Sequence, residues 1–125
     1  MVRETIFVVD DDEAVRDSTA MLIAAGGFTV QAFATGAEFL TACNGHSVGC
    51  AVIDIHMPGM DGFAVVEALR ARNAAVSVIL ITGRRDADVE GRAQALGVTP
   101  VLEKPLGKGM LIQVVRAALS PENEG

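Results

Sequence analysis

The sequence predicts a single α/β domain built around one parallel β-sheet. Short apolar segments of strand length alternate along the chain with segments whose apolar residues recur at helical spacing, which is the pattern of repeated βα units. Several of the strand segments are almost wholly apolar, as strands buried on both faces of a parallel sheet are. With 125 residues, of which 50% are hydrophobic, the chain can form one core but is too short for two independent domains.

Five strands are identified by runs of β-branched and apolar residues. They are predicted at Thr5–Val9, Thr29–Phe33, Cys50–Asp54, Ser77–Thr82 and Val101–Glu103. The second strand alternates polar and apolar residues and therefore suits a sheet edge, whereas strands one, three and four are apolar enough to be central.

Five helices, one after each strand, are identified by apolar residues three or four positions apart. The predicted inner faces are Val15, Thr19 and Leu22 in the first helix, Val66 and Leu69 in the third, Val89, Ala93 and Leu96 in the fourth, and Leu111, Val114, Val115 and Ala118 in the fifth. Gly26-Gly27 ends the first helix and Gly97 the fourth. Thr35 and Glu38 form a capping box that opens the second helix.

The composition excludes several functional classes. A net charge of −6 and the absence of Trp and Tyr argue against direct nucleic-acid binding. No apolar stretch is long enough for a membrane span, and the N-terminus has no signal-peptide core, so a cytoplasmic location is expected. The domain is assigned to residues 1–119, and residues 120–125 to a polar tail or the start of a linker to an absent output domain.

The two cysteines, Cys43 and Cys50, flank a polar loop. Free thiols are favoured over a disulfide because the expected compartment is reducing, and Cys50 is expected to be buried. His46 in that loop has no second ligand at metal-site spacing and is treated as a surface residue.

Charged and polar side chains lie at the carboxyl ends of four of the predicted strands. Asp10–Asp12 come directly after the first strand, Asp54 ends the third, Thr82 ends the fourth and Lys104 follows the fifth. Because the carboxyl ends of parallel strands meet at one edge of the sheet, these side chains are expected to form one acidic pocket with a lysine beside it. Asp12 by itself, like Asp61, is more simply explained as a helix cap or turn former.

The acidic cluster predicts a metal site. Asp10, Asp11 and Asp54 would repel one another and raise their own pKa values unless a cation lies among them. Carboxylate oxygens, combined with phosphate oxygens and water, suit Mg²⁺ better than a transition metal. The expected cofactor is therefore Mg²⁺.

Asp54 is the candidate nucleophile of this pocket. A carboxylate can attack phosphorus to form an acyl phosphate, while Mg²⁺ and Lys104 neutralise the phosphoryl oxygens in transit. Thr82 offers a hydroxyl to a phosphoryl oxygen, although it can also be a plain strand end. Gly59 and Gly62 allow a tight loop over the site.

The motifs in order are Asp10-Asp11, Asp54, Met57-Pro58-Gly59-Met60-Asp61-Gly62, Thr82-Gly83 and Lys104-Pro105. Together they resemble the receiver domain of two-component response regulators of the FixJ type, and the resemblance covers the whole chain. It implies a flavodoxin-like (βα)5 doubly wound parallel sheet with strand order 2-1-3-4-5. Such domains are usually joined to a helix-turn-helix output domain, so a transcriptional output is expected.

The resemblance also implies roles around the metal. Asp11, Asp54 and the backbone carbonyl of His56 would hold Mg²⁺, and Asp10 would act through a water molecule.

Roles in phosphoryl transfer are implied in the same way. Asp54 would be the phosphoacceptor and a sensor histidine kinase the donor. Lys104, in a cis peptide with Pro105, would bind the phosphoryl group, and Thr82 would swing inward to meet it. The domain would catalyse its own phosphorylation and dephosphorylation and no other reaction.

Two residues depart from the family pattern. Val101, three positions before the lysine, replaces a residue that is commonly aromatic, and Leu106 replaces another aromatic after Lys-Pro. The aromatic rotamer switch is therefore absent. The face formed by helix four, strand five and helix five is still expected to respond through the loop Gly83–Asp88, with weaker coupling, and to offer a surface for a phosphorylation-dependent homodimer.

Two further positions are those that tune dephosphorylation in the family by controlling water. His56 and Arg84 lie two residues after the phosphoacceptor and the switch threonine. His56 can be a second base, a steric lid or a solvated rim residue.

Three other interpretations compete with a phosphorylated receiver. An FMN-binding flavodoxin is disfavoured because Asp10–Asp12 would repel the cofactor phosphate. A phosphatase of the haloacid-dehalogenase type also uses an aspartyl nucleophile, but Asp54-Ile55-His56 lacks its second acid. A degenerate receiver that serves as a binding surface alone is kept open by Val101.

Overall fold

The computed structural model describes residues 5–43, 49–72, 76–98 and 101–119. Strands and helices alternate along the chain. They are β1 Thr5–Val9, α1 Glu13–Ala25, β2 Thr29–Phe33, α2 Gly36–Ala42, β3 Cys50–Asp54, α3 Gly62–Ala71, β4 Ser77–Thr82, α4 Ala87–Ala95, β5 Val101–Glu103 and α5 Lys108–Leu119. The bounds predicted for the strands are confirmed.

The strands in the described part of the chain form one parallel sheet in the order β2-β1-β3-β4-β5. This confirms the order implied by the resemblance. The chain passes from β1 outward to β2 and then returns to the other side of β1 to form β3, so the strand order reverses between β1 and β3. In open α/β sheets the crevice at such a reversal is the usual binding site, and the carboxyl ends of β1 and β3 lie at its edge.

Alternate residues of the central strands face two separate cores. Phe7 and Val9 of β1 pack with α2, α3 and α4, whereas Ile6 and Val8 pack with α1 and α5. β3 is buried throughout, while three of the five residues of β2 are exposed, as expected for an edge strand. The sheet is therefore covered by helices on both faces, as the apolar strands predict.

The predicted inner faces of the helices are confirmed. Their buried members are Thr19, Val66, Leu69, Val89, Ala93, Leu111 and Val115, and Val15, Leu22, Leu96, Val114 and Ala118 are partly buried. Helix α2, for which no inner face was predicted, buries Phe39 completely. The Phe39 ring lies 5.5 Å from Phe7 and 6.0 Å from Phe33, centroid to centroid, and closes one end of that core.

The helix ends follow local hydrogen bonding. The N-cap side chains that accept a backbone N–H three residues on are Asp12, Thr35, Asp61 and Asp86. The capping box differs from its expected form, because Glu38 Oε1 accepts from the N–H of Ala34, at 3.3 Å, one residue before the cap. Gly27 and Gly97 have positive φ after α1 and α4, where residues with a β-carbon would be strained.

Cys43 and Cys50 are free and buried, as predicted. Burial raises the pKa of Cys50 to about 12, so this thiol stays protonated and inert. His46 and residues 120–125 lie outside the described residues. None of the helices in the described ranges is both long and apolar enough to cross a bilayer.

Candidate functional site

Strand ends converge on one edge of the sheet. Asp10 follows β1, and its N–H donates to Phe33 O at 3.1 Å, which extends the β1–β2 ladder by one residue. Asp54 and Thr82 are the last residues of β3 and β4. The N–H of Lys104 donates to Thr82 O at 2.8 Å, one residue beyond β5. The backbone ladder thus fixes the spacing of all four residues.

The predicted acidic cluster is present. Carboxylate oxygens of Asp10, Asp11 and Asp54 all lie within 4.8 Å of one another. Asp10 is 0% exposed and Asp54 is 3% exposed, whereas Asp11 is exposed at the mouth of the pocket. Three hard oxygen donors from the protein, open to solvent on one side, suit a divalent cation that keeps part of its water shell.

Lys104 reaches the two buried members of the cluster. Its Nζ lies 3.2 Å from Asp10 Oδ2 and 3.5 Å from Asp54 Oδ1. Neither oxygen gains a well-aligned hydrogen bond from the described residues, so both contacts are ion pairs rather than directed hydrogen bonds. The peptide between Lys104 and Pro105 is cis, as the resemblance implies.

The electrostatics of the pocket are set by burial and by the acids themselves. Burial is the main effect that raises the pKa of Asp54 above its ordinary 3.8, and the charge of Asp10 adds to it. Lys104 and the backbone N–H of His56 oppose this rise. Burial lowers the pKa of Lys104, but Asp54 and Asp10 together outweigh it and leave that pKa raised. The lysine therefore stays charged at neutral pH, and ionisation of Asp54 carries a cost in stability.

The loop after β3 brings α3 against the phosphoacceptor candidate. Gly62 N–H donates to Ile55 O at 2.8 Å, and a β-carbon at Gly62 would lie 2.7 Å from Asp54 O. Gly59 turns the loop with φ +78°. Both glycines are needed for the tight loop that the sequence predicted, Gly62 for close approach and Gly59 for its backbone conformation.

Thr82 is fully buried, and its hydroxyl is occupied by the following loop. Oγ1 accepts from the N–H of Arg84 at 3.2 Å and donates to Arg84 O at 3.1 Å. The hydroxyl would have to leave both partners in order to meet a group on Asp54.

The remaining predicted residues surround this centre. His56 and Arg84 are exposed at the rim, and Pro105 is exposed after Lys104. Val101 is 4% exposed and belongs to the core that contains Val89 of α4. A small aliphatic side chain thus fills the position where the family commonly has an aromatic one.

Sequence reasoning missed Arg16. Its Nη1 donates to the carbonyl of Asp10 at 2.9 Å, so a cation in the first turn of α1 contacts the backbone of the acidic loop. Side chains on a helix lean toward its N-terminus, and this rule is the signal that could have placed Arg16 against that loop.

The family model of the response regulator receiver domain matches residues 6–116. This chain belongs to that family. Curated relatives include the transcriptional regulatory protein FixJ of Azorhizobium caulinodans, 39% identical over 119 residues, which make up 95% of this chain and 56% of that protein. FixJ of Bradyrhizobium diazoefficiens is 36% identical over 114 residues, 91% of this chain and 56% of that protein. The receiver therefore spans little more than half the length of these relatives.

Solved receiver structures share the fold. A FixJ-N crystal structure is 29% identical with a TM-score of 0.87, and the match covers 95% of each chain. A CheY-like receiver domain from Methanospirillum hungatei is 27% identical with a TM-score of 0.88, covering 99% of this receiver and 100% of that chain. The flavodoxin-like fold class is confirmed.

We expect Asp54→Asn to stabilise the folded receiver at neutral pH without Mg²⁺. The folded state binds a proton at Asp54 more tightly than the unfolded chain does, so stability falls as pH rises from 3.8 through the raised pKa. Above that range the ionised carboxylate carries its full cost. Removing the charge should raise the free energy of unfolding by about 1 kcal/mol, or roughly 4 °C in Tm for a domain of this size.

The measurement is thermal unfolding of both proteins between acidic and neutral pH. The gain should shrink toward acid pH, where Asp54 is protonated in both states, and it should shrink when Mg²⁺ is added. Asp17→Asn, at an exposed position on α1, is the matched control and should change little. An Asp54→Asn variant that is less stable than the native protein at neutral pH would contradict the expectation.

Proposed function

We propose that this receiver is controlled by phosphorylation of Asp54, with the phosphohistidine of a sensor histidine kinase as donor. The observation that carries the proposal is the contact of partly exposed Lys104 with the buried carboxylates of Asp10 and Asp54 at the strand-order reversal. A carboxylate oxygen of Asp54 attacks phosphorus, the P–N bond to the donor imidazole breaks, and the electron pair returns to the ring nitrogen. The product is an acyl phosphate on Asp54.

Lys104 is assigned to the phosphoryl group. The transferred group carries negative charge on its oxygens, and an ammonium fixed beside Asp54 stabilises that charge without reorganisation. Its raised pKa keeps the ammonium charged. After transfer, Lys104 exchanges its contact with Asp54 for one with a phosphoryl oxygen.

Mg²⁺ is the proposed cofactor. Asp11, Asp54 and the backbone carbonyl of His56 would hold it directly, and Asp10 through a water molecule. The fit is supported by the all-oxygen donor set and by two buried oxygens, Asp10 Oδ2 and Asp54 Oδ1, that lack a well-aligned hydrogen bond among the described residues. When bound, Mg²⁺ supplies positive charge for the phosphoryl oxygens.

Dephosphorylation resets the domain. Water attacks phosphorus, the P–O bond to Asp54 breaks, the carboxylate is regenerated and inorganic phosphate leaves. His56 and Arg84, both exposed at the rim, tune this reaction by controlling the approach of water. Apart from its own phosphorylation and dephosphorylation, the domain is assigned no enzymatic activity.

The switch begins at Thr82. When the hydroxyl turns toward a phosphoryl oxygen, it gives up both hydrogen bonds to Arg84 and releases the loop between β4 and α4. Helix α4, all of whose residues are described, buries two side chains, Val89 and Ala93, and is therefore easily shifted. Because Val101 replaces the aromatic residue, the movement of the β4–α4 loop is transmitted through the backbone to the face of α4, β5 and α5.

The output lies beyond this domain. Residues 1–119 form the receiver, and residues 120–125 are proposed to be a tail or the start of a linker to a transcriptional output domain, as the lengths of the FixJ relatives support. The face of α4, β5 and α5 is proposed to mediate a phosphorylation-dependent homodimer. The acidic receiver does not bind nucleic acid itself. Two free thiols suit a cytoplasmic location.

Incubation with acetyl phosphate and Mg²⁺ should add one phosphoryl group to the chain, measured by intact mass. The adduct should be absent from Asp54→Asn and without Mg²⁺, whereas the exposed Asp17→Asn should form it normally. Lys104→Gln should form it about a hundredfold more slowly, because one preorganised charge is lost. No adduct on the native chain, with beryllofluoride also failing to bind, would indicate a degenerate receiver that works as a binding surface.

Beryllofluoride should shift the backbone amide resonances of residues 83–88 and 101–106 in the native protein. Thr82→Ala should bind the mimic but lose most of that response, since no hydroxyl remains to leave Arg84, and Thr82→Ser should restore it. Heteronuclear NMR is the measurement. Unmoved amides from Val101 to Leu106 in the native protein would refute a responsive α4, β5 and α5 face.

His56→Ala and Arg84→Ala should each shorten the lifetime of the phosphorylated state several-fold, because smaller rim side chains admit water more freely. The decay is followed by intact mass after the phosphodonor is removed. A longer lifetime in His56→Ala would instead assign His56 as a base for the attacking water. An unchanged lifetime would indicate that His56 is only a solvated rim residue. Arg72→Ala, at the far end of α3, serves as the control.

A further inference from the structure

We propose that Arg16 is a positioning residue for the metal-binding loop, residues 10–12, and that it acts by holding the backbone of Asp10. The inference rests on the proposed function, because it gives Arg16 a part in Mg²⁺ binding by Asp10, Asp11 and Asp54. Arg16 itself touches neither the metal nor the phosphoryl group.

The contact lies one residue beyond the end of the β1–β3 ladder. The β1–β3 register ends at the pair Val9 and Ile53, and Asp10 is the next residue. Arg16 Nη1 donates to the Asp10 carbonyl at 2.9 Å. A guanidinium donor to a buried carbonyl is a charge-assisted hydrogen bond, stronger than one between neutral groups. Arg16 thus anchors the first backbone group beyond the β1–β3 ladder.

The same arginine is tied to the other end of the loop. Its backbone N–H donates to Asp12 O at 2.8 Å, and the N–H of Asp12 donates to Asp10 Oδ1 at 2.9 Å. Asp12 also caps α1 by accepting from Val15 N–H at 3.1 Å. Asp11, exposed between two anchored neighbours, is therefore presented to the metal by a loop that Arg16 contacts at both ends.

An arginine suits this task better than a lysine. The side chain must turn back from the first turn of α1 toward β1, and it must direct an N–H at one particular carbonyl. A planar guanidinium offers several donors in fixed directions, whereas an ammonium is a point charge on a flexible stem. Arg16 is partly buried, which further restricts its rotamers.

Charge and positioning make opposite predictions for Arg16. A cation beside a Mg²⁺ site repels the metal, so if Arg16 acted by charge alone, its removal would tighten Mg²⁺ binding. If Arg16 acts by holding the loop, its removal weakens binding, because Asp11, which lies beyond the ladder, then loses its preset position. The direction of the change in Mg²⁺ affinity therefore separates the two roles.

The experiment is calorimetric titration of Mg²⁺ into the 125-residue chain and its variants. Arg16→Gln should bind Mg²⁺ about tenfold more weakly, as when a group that orients metal ligands is lost. Arg16→Lys should fall between Arg16→Gln and native. Arg72→Gln is the matched control, because Arg72 Nη1 donates to Leu40 O at 2.8 Å, which is the same type of bond far from the metal site. The Mg²⁺ affinity of Arg72→Gln should equal that of the native chain.

Phosphorylation by acetyl phosphate gives a second readout. Arg16→Gln should need a higher Mg²⁺ concentration for half-maximal rate but reach a near-native rate at saturation, since Arg16 does not contact the reacting atoms. A general loss of structure would instead lower the saturated rate and the Tm together.

Each outcome decides the inference. Mg²⁺ affinity of Arg16→Gln that equals or exceeds the native value overturns the positioning role and leaves the proposed function intact. Failure of the native chain to bind Mg²⁺ overturns both. If Arg16→Gln fails to fold, Arg16→Lys is tested in its place. The Mg²⁺-dependent amide shifts of residues 10–12 are then expected to be weaker than in the native protein. Native-like shifts would count against the proposal.

Discussion

The burial of two carboxylates beside one ammonium is the constraint on which the rest of this structure depends. Asp10 and Asp54 are almost inaccessible, and Lys104 lies 3.2 and 3.5 Å from them while Asp11 adds a third negative charge nearby. Buried charges are costly unless they are paired and hydrogen-bonded, and here the pairing is incomplete. The pocket therefore retains a net negative charge, which a divalent cation can neutralise and which an apolar environment alone could not tolerate.

The frame that holds these charges together is the rigid part of the molecule. The site is built on strand ends rather than on loop tips, and the neighbouring residues of β1 and β3 are fully buried on both faces. Because the spacing of Asp10 and Asp54 is set by the ladder, their repulsion cannot be relieved by moving them apart. Local instability at the site is offset by two cores, one on each side of the sheet.

Much of this arrangement could be predicted because buried parallel strands are apolar runs that end in a change to polar residues, as at Asp10 and Asp54. The inner face of α2 could not be predicted in the same way. Its 7 residues span two turns, too few for a periodic pattern to identify Phe39 as a core residue. Contacts that depend on rotamers were also missed. The lean of helical side chains toward the N-terminus indicates the direction of Arg16 but not its bond to the Asp10 carbonyl, and the bonds that hold the Thr82 hydroxyl do not follow from sequence spacing.

The replacement of an aromatic residue by Val101 directs attention to how α4 is held. Its C-terminal carbonyl, at Leu96, accepts from Arg70 of α3 at 2.7 Å, and Arg92 lies 4.2 Å over the Phe63 ring. Helix α3 in turn begins at Gly62, against the backbone that carries Asp54. Helix α4 is thus connected to Asp54 along two paths, through the Thr82 loop at its start and through α3 near its C-terminal end. The first path runs through the Thr82 hydroxyl and the second through Arg70, Arg92 and the Phe63 ring, so neither requires an aromatic side chain at position 101.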